Sequence, residues 1–296
     1  MSVFKRNYRP FTGTPTSRAG RFLVLMRYGF SDLWSSRITN VLSLLCLLPT
    51  LLAMAAIYIA NNNAVRLLIS NATGSGGPPI ISINETYFYA ILQGQCWLAL
   101  VLTAWIGPRL IGIDLANNAL PTILSHPISR VEYVLAKLAL LASFLSVVTW
   151  VPLLLLFGLQ SYLSATPWAF AHLHIAYGSF IGCMIWILLL SLIALAVSSW
   201  VRWRIVATGM IFAAVFVPAG TGNVFNAVMR TTWGRLIDIP WMIITLWQRL
   251  LRVELPRYFS RNEVPTLPII LALTAICVLC ASALNARLRA REVVRG

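Results

Sequence analysis

Charged residues in this chain are confined to short intervals between long uncharged apolar runs, and that segregation leaves few folds open. A hydrocarbon core about 30 Å thick is crossed by a helix of about 20 apolar residues, because a helix rises about 1.5 Å per residue. Six runs approach or exceed that length: Ile38 to Ala60, Tyr87 to Ile106, Tyr133 to Leu159, Ile175 to Trp200, Ile205 to Val217 with a continuation to Val228, and Leu267 to Leu284. A cation at a helix centre costs about 2.5 to 3.5 kcal/mol on insertion scales, so charges mark where spans stop. Arg37, Arg109, Arg130, Arg202, Arg204 and Arg287 each stand beside a proposed boundary. Only Lys137 falls inside a span, one turn into the third, from which its ammonium can snorkel to the interface.

The chain is 59% hydrophobic and 10% charged, whereas an ordinary soluble domain carries about 25% charged residues. These values predict an all-α polytopic membrane protein, one transmembrane domain over residues 1–296. The net charge of +15 would suit phosphate binding, but its distribution excludes a nucleic-acid partner. The cations cluster before the first span (Lys5, Arg6, Arg9, Arg18, Arg21, Arg27, Arg37), around the second loop (Arg109, Arg130, Lys137), at the fourth (Arg202, Arg204) and in the tail (Arg287, Arg289, Arg291, Arg295). A six-span chain puts all of these on one side, which the positive-inside rule makes cytoplasmic, with both termini inside. Arg230, Arg235, Arg249, Arg252, Arg257 and Arg261 run against that rule on the outer side, outweighed by the seven N-terminal cations. The first apolar run follows a long basic lead and reads as a signal anchor rather than a cleaved signal peptide.

The lead, residues 1–37, contains a helical pattern over Arg18 to Ser36, with Leu23, Met26, Phe30, Leu33 and Trp34 on one face and Arg18, Arg21, Asp32 and Ser35 opposite. That is the pattern of an elbow helix lying in the membrane surface. The first outer loop, Asn61 to Glu85, is Gly- and Pro-rich and irregular, and Asn71 and Asn84 open matches to the glycosylation pattern that arise readily by chance. In the last outer loop, residues 220–264, Ala219-Gly-Thr-Gly222 breaks the fifth helix. The tryptophan-rich Ile239 to Leu251 is too short to cross, so it enters part-way or lies flat on the outer face.

Few residues offer chemistry. All five cysteines fall within spans, so no disulfide framework or zinc spacing is implied. His172 and His174, two apart, take different helix faces and have no carboxylate near them in sequence. Gly178 and Gly182 form a GxxxG that permits close helix packing. Gln93 and Gln95, mid-way along the second span, either hold helices together or line a translocation path. The only lysines, Lys5 and Lys137, follow Phe4 and Ala136 rather than a glycine-rich loop, so the chain carries no Walker A motif.

The polar segment Gly107 to Glu132, GPRLIGIDLANNALPTILSHPISRVE, is too patterned for a connector. From Asp114 to Ser125 it has helical spacing, with Leu115, Ala119 and Ile123 on one face and Asn117, Asn118 and Thr122 on others, before Pro127 and Ser129 close it. A short helix held at the water boundary with apolar residues outward suits capture by a partner. Asp114 and Glu132, at its ends, are suited to pairing with Arg109, Arg130 or a partner's cation.

Through Lys137 this run resembles the second-loop signature of ABC-2 type transporter permeases, also called type V, and the tail Asn285 to Arg295 is similar to the basic tail of many of them. The resemblance covers the chain in layout: elbow helix, six spans, and short outer helices between spans five and six. It implies a coupling helix that docks on a separate ATPase subunit through Asp114, Asn117, Asn118, Leu120, Pro121, Ser125, Pro127, Ser129, Arg130 and Glu132. It further implies a second permease copy or a related permease as partner, ATP and magnesium held by the ATPase rather than by this chain, export across a bacterial inner membrane, and a path at the dimer interface. The long glycine-rich first outer loop and the many outer arginines depart from the family pattern. The competing readings are an ATP-independent secondary transporter, which needs ionisable residues or broken helices at the midplane, and a membrane anchor for a larger complex.

Overall fold

A computed structural model describes residues 18–62, 65, 82–117, 129–164, 167–201, 203–253 and 264–293. Among these every regular element is helical. They are α1 (Arg18–Ser35), α2 (Arg37–Asn61), α3 (Glu85–Leu110), α4 (Gly112–Ala116), α5 (Arg130–Val148), α6 (Trp150–Leu163), α7 (Trp168–Ala171), α8 (Leu173–Trp200), α9 (Arg204–Met229), a 3-10 turn (Trp233–Leu236), α10 (Ile239–Leu250) and α11 (Thr266–Val293). Six helices are long and apolar enough to cross a membrane: Arg37–Asn61, Glu85–Asp114, Arg130–Leu163, Leu173–Trp200, Arg204–Met229 and Thr266–Arg287. Each contains or overlaps one of the predicted runs, and the chain is a multi-pass membrane protein by length and composition.

The third span is two helices, and proline chemistry explains the joint. Pro152 has no N–H, and its ring crowds the carbonyl four residues back, that of Val148. α5 accordingly ends at Val148, and Thr149 (φ −108°, ψ −89°) bridges to α6. Pro108 in α3 has the same effect with a different solution. The carbonyl it releases, on Ala104, accepts the Thr208 hydroxyl of α9 at 3.0 Å, so the defect becomes a bond between helices.

α8 is the hub, packing on α3, α5, α6, α10 and α11. Burial sorts the spans into core and periphery: 67% of the apolar window of the second span and 61% of the fourth is covered by protein, against 28%, 22% and 17% for the first, fifth and sixth. The outer three therefore keep broad apolar faces for lipid or for other helices. Trp186 of α8 anchors the centre, donating its indole N–H to the Cys96 carbonyl at 2.8 Å and meeting Trp97 and Trp247 edge to face at 5.8 and 6.0 Å.

One expectation needs correction, and packing decides between two alternatives for a second. The fifth helix is not broken at Ala219 to Gly222 but runs to Met229, because Pro218 is tolerated in the helix and Gly222 lies against the backbone of Gly234. Of the two placements expected for Ile239 to Leu251, part-way entry and lying flat, the packing of α10 fits the first. Its Ile239, Met242, Ile243, Leu246 and Trp247 are buried, and the Trp247 N–H reaches the Gly182 carbonyl at 3.1 Å, alongside the middle of α8. The GxxxG face of α8 is what admits it: a Cβ on Gly178 would stand 2.7 Å from the Leu250 carbonyl oxygen, and one on Gly182 2.7 Å from the Trp247 ring. Arg249 serves as a tie between elements, donating to the Thr266 hydroxyl and the Val264 carbonyl, both at 2.7 Å, and so fixing where α11 begins.

The predicted helix over Arg18 to Ser36 forms as α1, packed on α5. Leu33 is buried and Phe30 packs on the core, whereas Leu23 and Trp34 of the same predicted apolar face are exposed. Asn40 fixes the junction with α2 by donating its side-chain amide to the Trp34 carbonyl at 2.8 Å. Gly29 lets α1 approach, since a Cβ there would run into the end of the buried Leu140 side chain. Gly29→Val is expected to cost about 1 to 3 kcal/mol, the usual range for overpacking. The check is the unfolding midpoint in detergent together with faster proteolysis of α1.

Candidate functional site

The polar segment between the second and third spans leaves the bundle on α3 and α4 and returns on α5. α3 stops at Leu110, and after the turn residue Ile111 the chain resumes as α4 two residues before Asp114, earlier than predicted. The break frees two amides, and both find Ser198 of α8: its hydroxyl accepts Ile111 N–H at 3.3 Å and Gly112 N–H at 3.1 Å. Buried donors need such partners. Ser198 thus fixes the departure angle of the segment to the hub helix.

Asp114 ties the outgoing arm to the returning one. Its Oδ2 lies 2.8 Å from the Lys137 ammonium and accepts the Tyr133 hydroxyl at 2.6 Å, both from α5. Lys137 also sits 5.5 Å from the Tyr133 ring centroid, over its face. Both charged side chains are about one-fifth accessible, 21% each. Pairing in that setting neutralises an ammonium inside a span. The expected partners of Asp114, Arg109 and Arg130, and the free snorkelling of Lys137, give way to this pair for a helical reason: residues 133 and 137 are one turn apart on α5 and present one face to Asp114.

The returning arm starts with a capping box. The Ser129 hydroxyl accepts Glu132 N–H at 3.2 Å, and the Glu132 carboxylate accepts Ser129 N–H at 2.8 Å. Asn117, which is exposed, caps α4, donating its N–H to the Ile113 carbonyl at 3.0 Å. Of the predicted docking residues, Asp114, Asn117, Ser129, Arg130 and Glu132 are therefore on or beside the two arms. Asn118, Leu120, Pro121, Ser125 and Pro127, with most of the predicted Asp114 to Ser125 helix, lie outside the described residues.

Asp114 is engaged by two donors and Glu132 by a helix end, so neither is poised for proton transfer. Among the described residues no group of three His, Cys, Asp or Glu side chains is placed to hold a metal ion. A cavity of about 360 Å³ opens beside the tie, between α1 and the ends of α3 and α5.

The amide pair of the second span is split. Gln95 is fully buried and donates to the Thr50 hydroxyl of α2, which makes it an interhelical tie within the chain, whereas Gln93 is half-buried on another face of α3. At the opposite end of the bundle, His172 and His174 converge instead of diverging: their Nε2 atoms lie 3.8 and 3.4 Å from Glu85 Oε1. His172 precedes α8 and stacks on Trp168 at 4.4 Å, so the two-residue spacing along a helix does not govern it. Asn84, the second glycosylation match, is the N-cap of α3, its side chain accepting Tyr87 N–H at 3.2 Å.

No protein-family model and no curated protein matches this chain.

Proposed function

We propose that this chain is the membrane-spanning permease subunit of an ATP-binding cassette exporter of the ABC-2 type, with α1 as its elbow helix and the segment between α3 and α5 as its coupling element. The observation that carries the reading is the mounting of that segment. Asp114 bonds across its two arms, and Ser198 anchors the first arm to the hub helix. A connector of no consequence needs neither. A lever that passes the closure of an ATPase into the spans needs both, because a force applied to a slack loop is absorbed before it reaches the helices. In this reading the working unit is a pair of permease chains and two ATPase subunits in a bacterial inner membrane. The segment and both termini are cytoplasmic, and ATP and magnesium are held by the ATPase.

The test is reconstitution of the chain in liposomes with its cognate ATPase. The expected result is stimulation of ATP hydrolysis by the wild-type chain and at least a several-fold loss of that stimulation with Arg130→Ala, at unchanged insertion. Transport without any ATPase would place the chain among secondary carriers, and absence of both flux and stimulation would make it an anchor.

A further inference from the structure

The cavity beside the Asp114 tie is lined by two charged side chains without a partner among the described residues. Lys137 and Tyr133 are both committed to Asp114, so that cluster neutralises itself. Arg109, on the α3 side of the cavity, has no hydrogen-bond or ion-pair partner among the described residues, and a second guanidinium, that of Arg204, lies within range of its charge. Asp32, on the α1 side, is exposed and likewise without a partner there. Between them the walls are apolar, formed by Leu25, Ile113 and Leu140.

A guanidinium at the end of a span, repelled by a second one, favours an anion that can accept its planar fork, and a phosphodiester fits that geometry. Asp32 on the facing element favours a cation at the other end of the same ligand. Apolar walls favour hydrocarbon. The volume, about 360 Å³, is in the range of pockets that hold small ligands, about 300 to 1,000 Å³.

We propose that this cavity is a binding site for one amine-bearing glycerophospholipid, with its phosphate on Arg109, its ammonium toward Asp32 and the start of an acyl chain along Leu25, Ile113 and Leu140. The lipid would act as a wedge between α1 and the bundle. This site does not depend on the ATPase reading, and its failure would leave that reading untouched.

The experiment is native mass spectrometry of the full chain released from nanodiscs containing equal phosphatidylethanolamine and phosphatidylglycerol. Wild type is expected to retain one ethanolamine lipid per chain. Arg109→Gln is expected to reduce retention about tenfold, the scale of a lost charge-assisted bond. Asp32→Asn changes an exposed side chain that the fold does not use. It is expected to reduce retention of the ethanolamine lipid, and with it the preference for that head, about threefold, as for an exposed charge pair. Free glycerophosphoethanolamine at millimolar concentration is expected not to displace the lipid, and equal displacement would overturn the lipid assignment. Retention unchanged in Arg109→Gln, or head-group preference unchanged in Asp32→Asn, would overturn the site.

Discussion

Gly222→Ala is expected to destabilise the protein by about 2 to 3 kcal/mol, although helix propensity alone would make it stabilising by about 1 kcal/mol. The sign is decided by what surrounds the position. A Cβ on Gly222 would drive into the carbonyl oxygen of Gly234 and stand 3.3 Å from the carbonyl carbon, and backbone atoms cannot rotate away as a side-chain terminus can. Gly234 is fixed in turn, since the Asn226 side chain accepts its N–H at 2.8 Å and a Cβ there would stand 2.6 Å from that same oxygen. The contact sets the angle at which the chain turns from α9 into α10, and α10 inserts its tryptophan into the core. Gly209 and Gly220 lie in the same helix with nothing within 4 Å of a built Cβ. Gly209→Ala and Gly220→Ala are expected to be neutral or stabilising by up to about 1 kcal/mol. Unfolding midpoints of the three variants in detergent check the contrast, and equal effects at the three positions would refute it.

Asp114→Ala carries the second large effect, expected at about 2 to 4 kcal/mol. Removing one member of a largely buried pair leaves the other charge uncompensated, and that residual ammonium, rather than the lost attraction, dominates the cost. Lys137 then keeps the Tyr133 ring at 5.5 Å but loses the carboxylate that pairs with it. Adding Lys137→Met to Asp114→Ala is expected to restore most of the stability, because methionine keeps the stem and removes the charge. The double-mutant cycle should give a coupling energy of about 1 to 3 kcal/mol. Additive losses would mean that the two side chains act independently. The double variant also separates stability from transmission: it keeps the helices in place but lacks the tie, so under the proposed function it should bind the ATPase while hydrolysis and transport are poorly coupled.

The spans were legible because hydropathy and charge placement are local signals, and all six emerged from them. The break at Thr149 was equally local, following from Pro152 through the carbonyl of Val148, yet a continuous apolar run masked it. What sequence could not supply was the choice of partners between distant elements. Ser198 is one of several hydroxyls in α8, and only the packed structure brings it to the amides of Ile111 and Gly112. Asp114 had cations nearer in sequence than Lys137, and the geometry of α5 selected the farther one. Likewise the tryptophans of α10 suit an interface as well as a core, and the close approach allowed by Gly178 and Gly182 decided for the core.

Under the proposed function the segment between α3 and α5 faces an ATPase in the cytoplasm. Val131, at the start of α5, has 66% of its surface exposed and takes no part in the tie or the capping box, so Val131→Cys reports on that segment without disturbing it. Labelling with a membrane-impermeant maleimide should occur in inside-out vesicles, be absent in right-side-out vesicles, and fall when the ATPase is bound. Labelling from the outside, or labelling that the bound ATPase leaves unchanged, would contradict the account.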